Sequence, residues 1–559
     1  MSRTKDTPAA TPSARPRPAS RVTLAFAGAI LAPIAVGVVA AALGAWRLMP
    51  GVGFWDTAEF QTVPPLLGTT HPTGYPTYVI LGWVASAIMT PLGDPAVRMN
   101  LLSALLVGVA AGLAVDLVRR LTGSTVVAFV AGLGLAATPI VWGIATHADP
   151  HALHLLFVVA ILWLLVRWEL GRREAADDAP QEADHDADAS AAADASAASA
   201  ADRLAQTDRW LIAAAAVTGL SVGNHSLTLL LIVPIALYVH AVDPGIFRRR
   251  SLVLRCVAAA LIACLIVYLE LPLRGGLLPA IRGPLVYGSP DTLGGFVYVV
   301  TGEQFRGGLN DPLGNLPQKV ADLIGLAVAN FGLLAPLVVV GFLATMSRWP
   351  AYARLTGSAM AITCFFDSAY VNADIERYYL GPVLIAWTWL AILASSALDY
   401  VVATLPRDRR RLNRVLVVGL AAVVLLVPTL AALPQRASAV DRTADTAAQA
   451  WLDGVLGEMA PNAVVLSWWS FSTPLWYAQL IEGRRPDIAV IDDRTRLDEH
   501  LGELTDVIDA TIATRPVYVM RFAEADLAAL RARYDLTRLA SPFAPNVFRV
   551  TERAAMARP

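Results

Sequence analysis

The chain has 559 residues, 56% of them hydrophobic and 16% charged, with a formal net charge of −1. Soluble globular domains carry about a quarter charged residues, so the composition excludes an ordinary soluble protein and gives no electrostatic reason to expect a nucleic-acid partner. The three cysteines, Cys256, Cys264 and Cys364, lie inside apolar runs and offer neither a disulfide framework nor a metal cluster.

Residues 1–21 are rich in Pro, Ser, Thr and Arg, have no apolar face, and are expected to be a disordered tail. The apolar run that follows competes between a cleavable signal and a retained anchor. Its length, and the further apolar runs behind it, favour the anchor. A membrane-crossing helix needs about 20 mostly apolar residues. About eleven stretches qualify, near 22–45, 99–118, 125–144, 152–168, 209–223, 226–242, 251–271, 327–347, 354–371, 380–400 and 413–433, with soft boundaries. Residues 76–89 are apolar enough to span or to lie flat. If they lie flat, the arginine clusters at the N-terminal tail, Arg119-Arg120, Arg167 with Arg172-Arg173, Arg248 to Arg250, Arg348 with Arg354, and Arg407 to Arg411 share the cytoplasmic side. That choice makes 76–89 an interfacial helix and 22–433 the membrane domain. It places the N-terminus inside and the C-terminal domain outside. Within it, 174–202 is an Ala-Asp-Ser run expected to be a flexible cytoplasmic loop.

Residues 434–559 change character. Helices are expected over 447–459, 474–481, 501–512 and 523–534, with strands at 463–466, 488–491 and 517–520. This alternation predicts a small extracytoplasmic α/β domain without a Gly-rich phosphate loop. Its aromatic cluster, Trp468, Trp469, Trp476 and Tyr477, suits packing on the membrane domain better than a second active site.

The first outer loop reads GVGFWDTAEFQTVPPLLGTTHPTGYPTYVILG. Asp56 and Glu59, three apart, share one face of a helical turn. A desolvated carboxylate has a raised pKa and can serve as a general base. Asp followed by Thr-Ala-Glu also resembles a capping box, and residue types alone do not decide between the two. His71 belongs either to a substrate contact or to the tight His71-Pro72-Thr73-Gly74-Tyr75-Pro76 turn. In the second loop, His147, Asp149 and His151 are compatible with a divalent ion, though hydrogen bonding within the site fits their spacing better. Asn224 and His225, at an outer turn, either line a cavity or bond one helix to another. Arg274 and Arg377 are rare outer-side positive charges. They are candidates for a lipid phosphate or for salt bridges with Glu270 and Asp374.

The WDTAEF…HPTGYP pattern, followed by Arg98-Met99-Asn100-Leu101-Leu102-Ser103, resembles the plexin-type protein O-mannosyltransferase family and its bacterial relatives. The SWW…WYAQLIEGRRPDIAVID segment, the Gly223-Asn224-His225-Ser226 string, which resembles a Gly-x-Asn-His type string of the relatives, and the Asp-Ile-x-x-Tyr string from Asp374 to Tyr378 share the resemblance. It implies a multi-pass α-helical GT-C fold and a sugar taken from a polyprenyl-phosphate carrier. It also implies Asp56 as catalytic base, Glu59 as its acidic companion, and His71, Tyr75, Asp149, Asn224, His225, Arg274, Asp374, Arg377 and Tyr378 around the substrates. The second loop departs from the family string, with histidines and proline beside Asp149, which leaves metal dependence and acceptor open. The expectation is an inverting transfer, plausibly of mannose, to a hydroxyl of a protein or glycan outside the cytoplasm, in a bacterial membrane. A transporter or lipid flippase is the rival reading, but no internal repeat relates the two halves. A non-catalytic membrane scaffold is the third.

Overall fold

The computed structural model describes residues 19–177, 187–309, 311–372, 374–404 and 410–553. Among the described residues, seven helices are long and apolar enough to cross a membrane: Gly28–Trp46, Pro95–Thr122, His151–Asp177, Arg250–Leu277, Leu316–Arg348, Ile375–Thr404 and Val415–Ala439. The other four expected spans are helical too. Residues 209–223 are all but the last residue inside the Ala187–Val222 helix, and 354–371 begin inside Pro350–Ala369. The expected 125–144 helix breaks into Thr125–Ala136 and Pro139–Gly143, because Pro139 supplies no backbone donor and restricts the residue before it. The 226–242 stretch starts as a tight Ser226–Leu231 turn before Ile232–Val242. Pro76–Ile88 is a short apolar helix, with Gly82 packed against Pro64 and Met99.

Close helix approach is built from small residues. A Cβ on Gly108 would stand 2.7 Å from the carbonyl oxygen of Gly37, so the first helix and Pro95–Thr122 cross backbone to backbone. Some polar groups inside the bundle bond one helix to another. The fully buried Trp387 donates from Nε1 to Thr138 Oγ1 at 2.9 Å.

Arginines gather at one end of this bundle. Arg167 lies over Trp210, Arg173 over Trp349, and Trp349 Nε1 donates to the Leu121 carbonyl. Arg249 pairs with Asp208 and Asp243. The expectations for the 1–21 tail and for Arg407 to Arg411 fall largely outside the described residues; Ala19 already begins the first helix. The stretch expected as a loop at 174–202 is helical to Asp177 and again from Ala187, and the rest of it lies outside the described residues.

The C-terminal part folds around a five-stranded sheet in the order β2-β1-β3-β5-β4. Strands β1 (Val464–Ser467), β2 (Ala489–Asp492) and β3 (Val517–Met520) are parallel, and all three were legible as apolar runs. The antiparallel pair β4 (Tyr534–Arg538) and β5 (Val547–Glu552) was not expected. Alternating burial on a half-solvated face gives these two strands a weaker apolar signal. The helix after β1 begins at Trp469, five residues earlier than expected, and runs to Leu480. It lies along the Trp55–Leu66 helix of the first loop. Thr473 Oγ1 donates to the Trp55 carbonyl, and Tyr477 Oη donates to Asp94 and accepts from Ala96 N. Phe54 meets Trp451 and Phe471 edge to face, sealing the contact.

Candidate functional site

Asp56 and Glu59 lie on one face of the Trp55–Leu66 helix, as their spacing requires. The capping alternative is not what forms: the N-cap is Phe54, and no side chain caps the helix. Both carboxylates are committed elsewhere. Glu59, 1% exposed, accepts from the backbone N of His71 at 2.7 Å and lies 2.5 Å from its Nδ1. The tight turn therefore does not leave His71 as a mere loop residue; it delivers the imidazole to Glu59. Asp56 accepts from Trp469 Nε1 at 2.9 Å through Oδ1 and from Arg377 Nη2 at 3.2 Å through Oδ2.

Arg377 is the bridge of the site. Its guanidinium reaches Asp56 at 3.2 Å, Asp149 at 3.4 Å and Asp374 at 3.4 Å. The salt bridge with Asp374 foreseen as the alternative to a functional role is thus one of three. Asp149, 1% exposed, also accepts from the backbone N and Nδ1 of His151. His147 stands 3.8 Å from its other oxygen. The second loop is a hydrogen-bonded unit, the better fitting of its two expected readings. Asn100 ties the two loops together: its Nδ2 donates to the Met49 carbonyl, while its Oδ1 accepts from Gln61 and from Ala148 N.

Aromatic rings wall this cluster. Tyr75 sits between Phe60, His71 and His225. Tyr378 stacks on His151 and meets His225 edge to face. His225 Nδ1 accepts from Leu227 N, and Asn224 Nδ2 donates to the Pro150 carbonyl, so this pair both lines the site and ties two segments. Arg274 is placed differently. It donates to the carbonyls of Leu66 and Leu67, anchoring the far end of the first-loop helix, and makes no bond to the acid cluster.

The charges interlock. Burial opposes ionisation of Asp56, but His71, Arg377 and the Trp469 hydrogen bond outweigh it and hold its carboxyl below the usual range. This corrects the expectation that desolvation would raise it. Burial does raise Glu59, against the pull of His71. Burial works against the charged form of His71, yet Glu59 and Asp56 push it above its ordinary value. For Asp149, His151 and Arg377 overcome burial and keep the carboxylate ionised. The result is a carboxylate, Asp56, poised between two positive groups.

Donor atoms of Asp56, Glu59 and His71 fall within 4.8 Å of one another, and carboxylate with imidazole can hold a divalent ion. Each group is already engaged, however. An ion would have to break the 2.5 Å Glu59–His71 contact and sit beside the Arg377 guanidinium, 3.2 Å from Asp56. As arranged, the three form a hydrogen-bonded cluster rather than a metal cage.

Sequence reasoning missed Trp469. The aromatic cluster does pack on the membrane domain, as expected, but it also enters the first site. Trp469 lies just past the carboxyl end of β1, where the sheet continues to β2 on one side and β3 on the other. In open α/β sheets that crevice is where ligands are held. The indole also contacts His71, Tyr287 and Trp476.

Residues 56–244 match the family model described as the Protein O-mannosyl-transferase TMEM260 N-terminal domain. Over 142 residues the chain is 32% identical to Protein O-mannosyl-transferase TMEM260 of Mus musculus, covering 25% of this chain and 20% of that protein. The chain thus spans about a fifth of the length of this curated relative. Among solved structures, ArnT from Cupriavidus metallidurans in the apo state is similar with a TM-score of 0.55 at 16% identity, covering 96% of this chain and 100% of that one. The same protein bound to undecaprenyl phosphate gives 0.52 at 16% identity, over 97% and 100% of the two chains. AglB from Archaeoglobus fulgidus, an archaeal oligosaccharyltransferase in complex with an inhibitory peptide and a dolichol-phosphate, gives 0.51 at 15% identity, over 94% and 75%. The chain therefore shares the fold of ArnT and AglB.

Proposed function

We propose that the chain is a membrane glycosyltransferase that transfers one sugar from a polyprenyl-phosphate carrier to a hydroxyl group of a protein or glycan acceptor, a reading supported by the match over residues 56–244 and by the shared fold. Mannose is the sugar we assign, on the strength of the match over residues 56–244. The transfer takes place at the end of the bundle that carries the C-terminal domain, away from the arginine-rich end. The positive-inside bias makes that end extracytoplasmic and the N-terminus cytoplasmic.

The observation that carries the reading is Asp56: an ionised carboxylate at the meeting point of two loops, the Ile375–Tyr379 turn and the C-terminal domain, held by Arg377 and Trp469. The acceptor hydroxyl gives its proton to Asp56 as its oxygen attacks the anomeric carbon. The bond from that carbon to the phosphate oxygen breaks, and the electron pair leaves on the phosphate. One displacement inverts the anomeric centre and releases polyprenyl phosphate. Arg377 keeps its Nε–H without a partner among the described residues, and that donor meets the leaving phosphate. Its side chain is already held by three carboxylates, so little order is lost when the phosphate arrives. The buried Glu59–His71 pair stands beside Asp56 and shapes the pocket. Arg274 supports the helix that presents Asp56. A role for it at the phosphate would require it to release the Leu66 and Leu67 carbonyls.

The test is incubation of membranes containing the protein with labelled polyprenyl-phosphate mannose. The reading expects a labelled acceptor of inverted anomeric configuration and free polyprenyl phosphate in equal amounts. Retention at the anomeric carbon would contradict a single displacement, and no transfer from any polyprenyl-phosphate sugar would contradict the reaction class.

A further inference from the structure

At the opposite end of the bundle, three helices line an open hollow of about 320 Å³. Its walls follow helical spacing. Arg167, Gly171 and Glu174 on His151–Asp177 face Arg203, Thr207 and Trp210 on Ala187–Val222, and Arg120 closes it from Pro95–Thr122. Gly171 sets the approach, since a Cβ there would stand 2.8 Å from both Cγ2 and Oγ1 of Thr207.

Among the described residues the lining brings Arg120, Arg167 and Arg209 together with the Glu174 carboxylate. Arg120 pairs with Asp116 at 2.7 Å. Arg167 and Arg209 instead lie over the Trp210 ring, 4.0 Å and 5.1 Å from its centroid, and among the described residues neither makes an ion pair. A preference for positive charge on one side of the membrane explains arginines at this end. It does not explain why they converge on one hollow, where like charges repel unless an anion lies between them. Guanidinium forks match phosphate oxygens two at a time. The indoles of Trp163 and Trp210 flank Arg167, and such rings collect at the membrane–water interface. At that depth the abundant phosphate is a lipid headgroup, and basic pockets between helices on this side are built to hold one.

We propose that this cavity binds the phosphate headgroup of an anionic phospholipid. It stands apart from the acid cluster, and its occupancy is independent of the transfer reaction. The test uses the purified full-length protein in neutral detergent, with bound lipid counted by native mass spectrometry during titration with phosphatidylglycerol or phosphatidylcholine. Phosphatidylglycerol is expected to bind the wild type preferentially, and millimolar inorganic phosphate is expected not to displace it. The Arg167→Gln/Arg209→Gln variant should bind about 25-fold more weakly, at about 1 kcal/mol for each arginine. The Arg167→Lys/Arg209→Lys variant, which keeps both charges, should retain the preference for phosphatidylglycerol. Equal binding of the two lipids by the wild type, or unchanged binding by the Gln variant, would overturn the proposal. So would displacement by inorganic phosphate, which would make the ligand a soluble one. If the Gln variant does not fold, the wild-type comparison and the Lys variant still decide.

Discussion

Asp56 is held by groups from two distant parts of the chain. Arg377 lies 321 residues away and Trp469 lies 413 residues away. Removing either donor takes away something that favours the carboxylate, so the carboxyl must become easier to protonate. The sign is fixed: Asp56 is held below its ordinary value, and its basic form is lost only as pH falls through that depressed value. Trp469→Phe keeps the ring and loses the Nε1–H donor, and His71→Gln removes a nearby positive charge. Each is expected to move the acid limb of the transfer rate to higher pH, with Trp469→Phe about tenfold slower near neutrality, the scale of one hydrogen bond to a charged group. An acid limb unmoved in both variants would show that Asp56 does not set it. Charged and polar residues beside a membrane are costly and marked most of this cluster as candidates, but residue types left their roles open and the family resemblance supplied them. Trp469 was not marked, since an aromatic next to three others has a sufficient explanation in packing. Gln61, which helps lock the two loops, carried no signal of its own, and Asn100 entered only as part of the Arg98 to Ser103 stretch.

The helices place these residues through close contacts that leave little room. Gly108 faces the Gly37 carbonyl, which is backbone and cannot rotate away as a side chain would. Gly108→Ile is therefore expected to cost at least the 1–3 kcal/mol or so of an overpacked core, seen as a lower melting temperature in detergent. An unchanged melting temperature would refute this crossing of the first helix over Pro95–Thr122. At this scale the long apolar runs were read from composition, while breaks within them were not. Pro139 divides one expected helix, and the Ser226–Leu231 turn delays another. Apolar content reports burial in lipid but is nearly silent about where backbone geometry changes. In the C-terminal domain the same limit hid β4 and β5, whose exposed faces dilute their hydrophobicity.

The whole molecule is polarised. The acid cluster, the aromatic walls and the sheet domain occupy one end, and the arginine-rich cavity occupies the other. If the positive-inside bias holds, a membrane-impermeant maleimide added to intact cells should label Glu524→Cys, on an exposed helix of the sheet domain, and should not label Ser251→Cys, beside Arg249 and Arg250. The reverse pattern would invert the topology. It would also move the transfer to the cytoplasmic face.

The central claim is that Asp56 takes the acceptor's proton, and one comparison tests it most directly. Wild-type protein and Asp56→Asn, purified to the same melting temperature, would be given the same labelled polyprenyl-phosphate mannose and the same acceptor. Loss of the base predicts a fall of about 10²–10⁴-fold in transfer, with the donor still bound through Arg377. Transfer by Asp56→Asn at the wild-type rate would contradict the account and remove Asp56 from the mechanism.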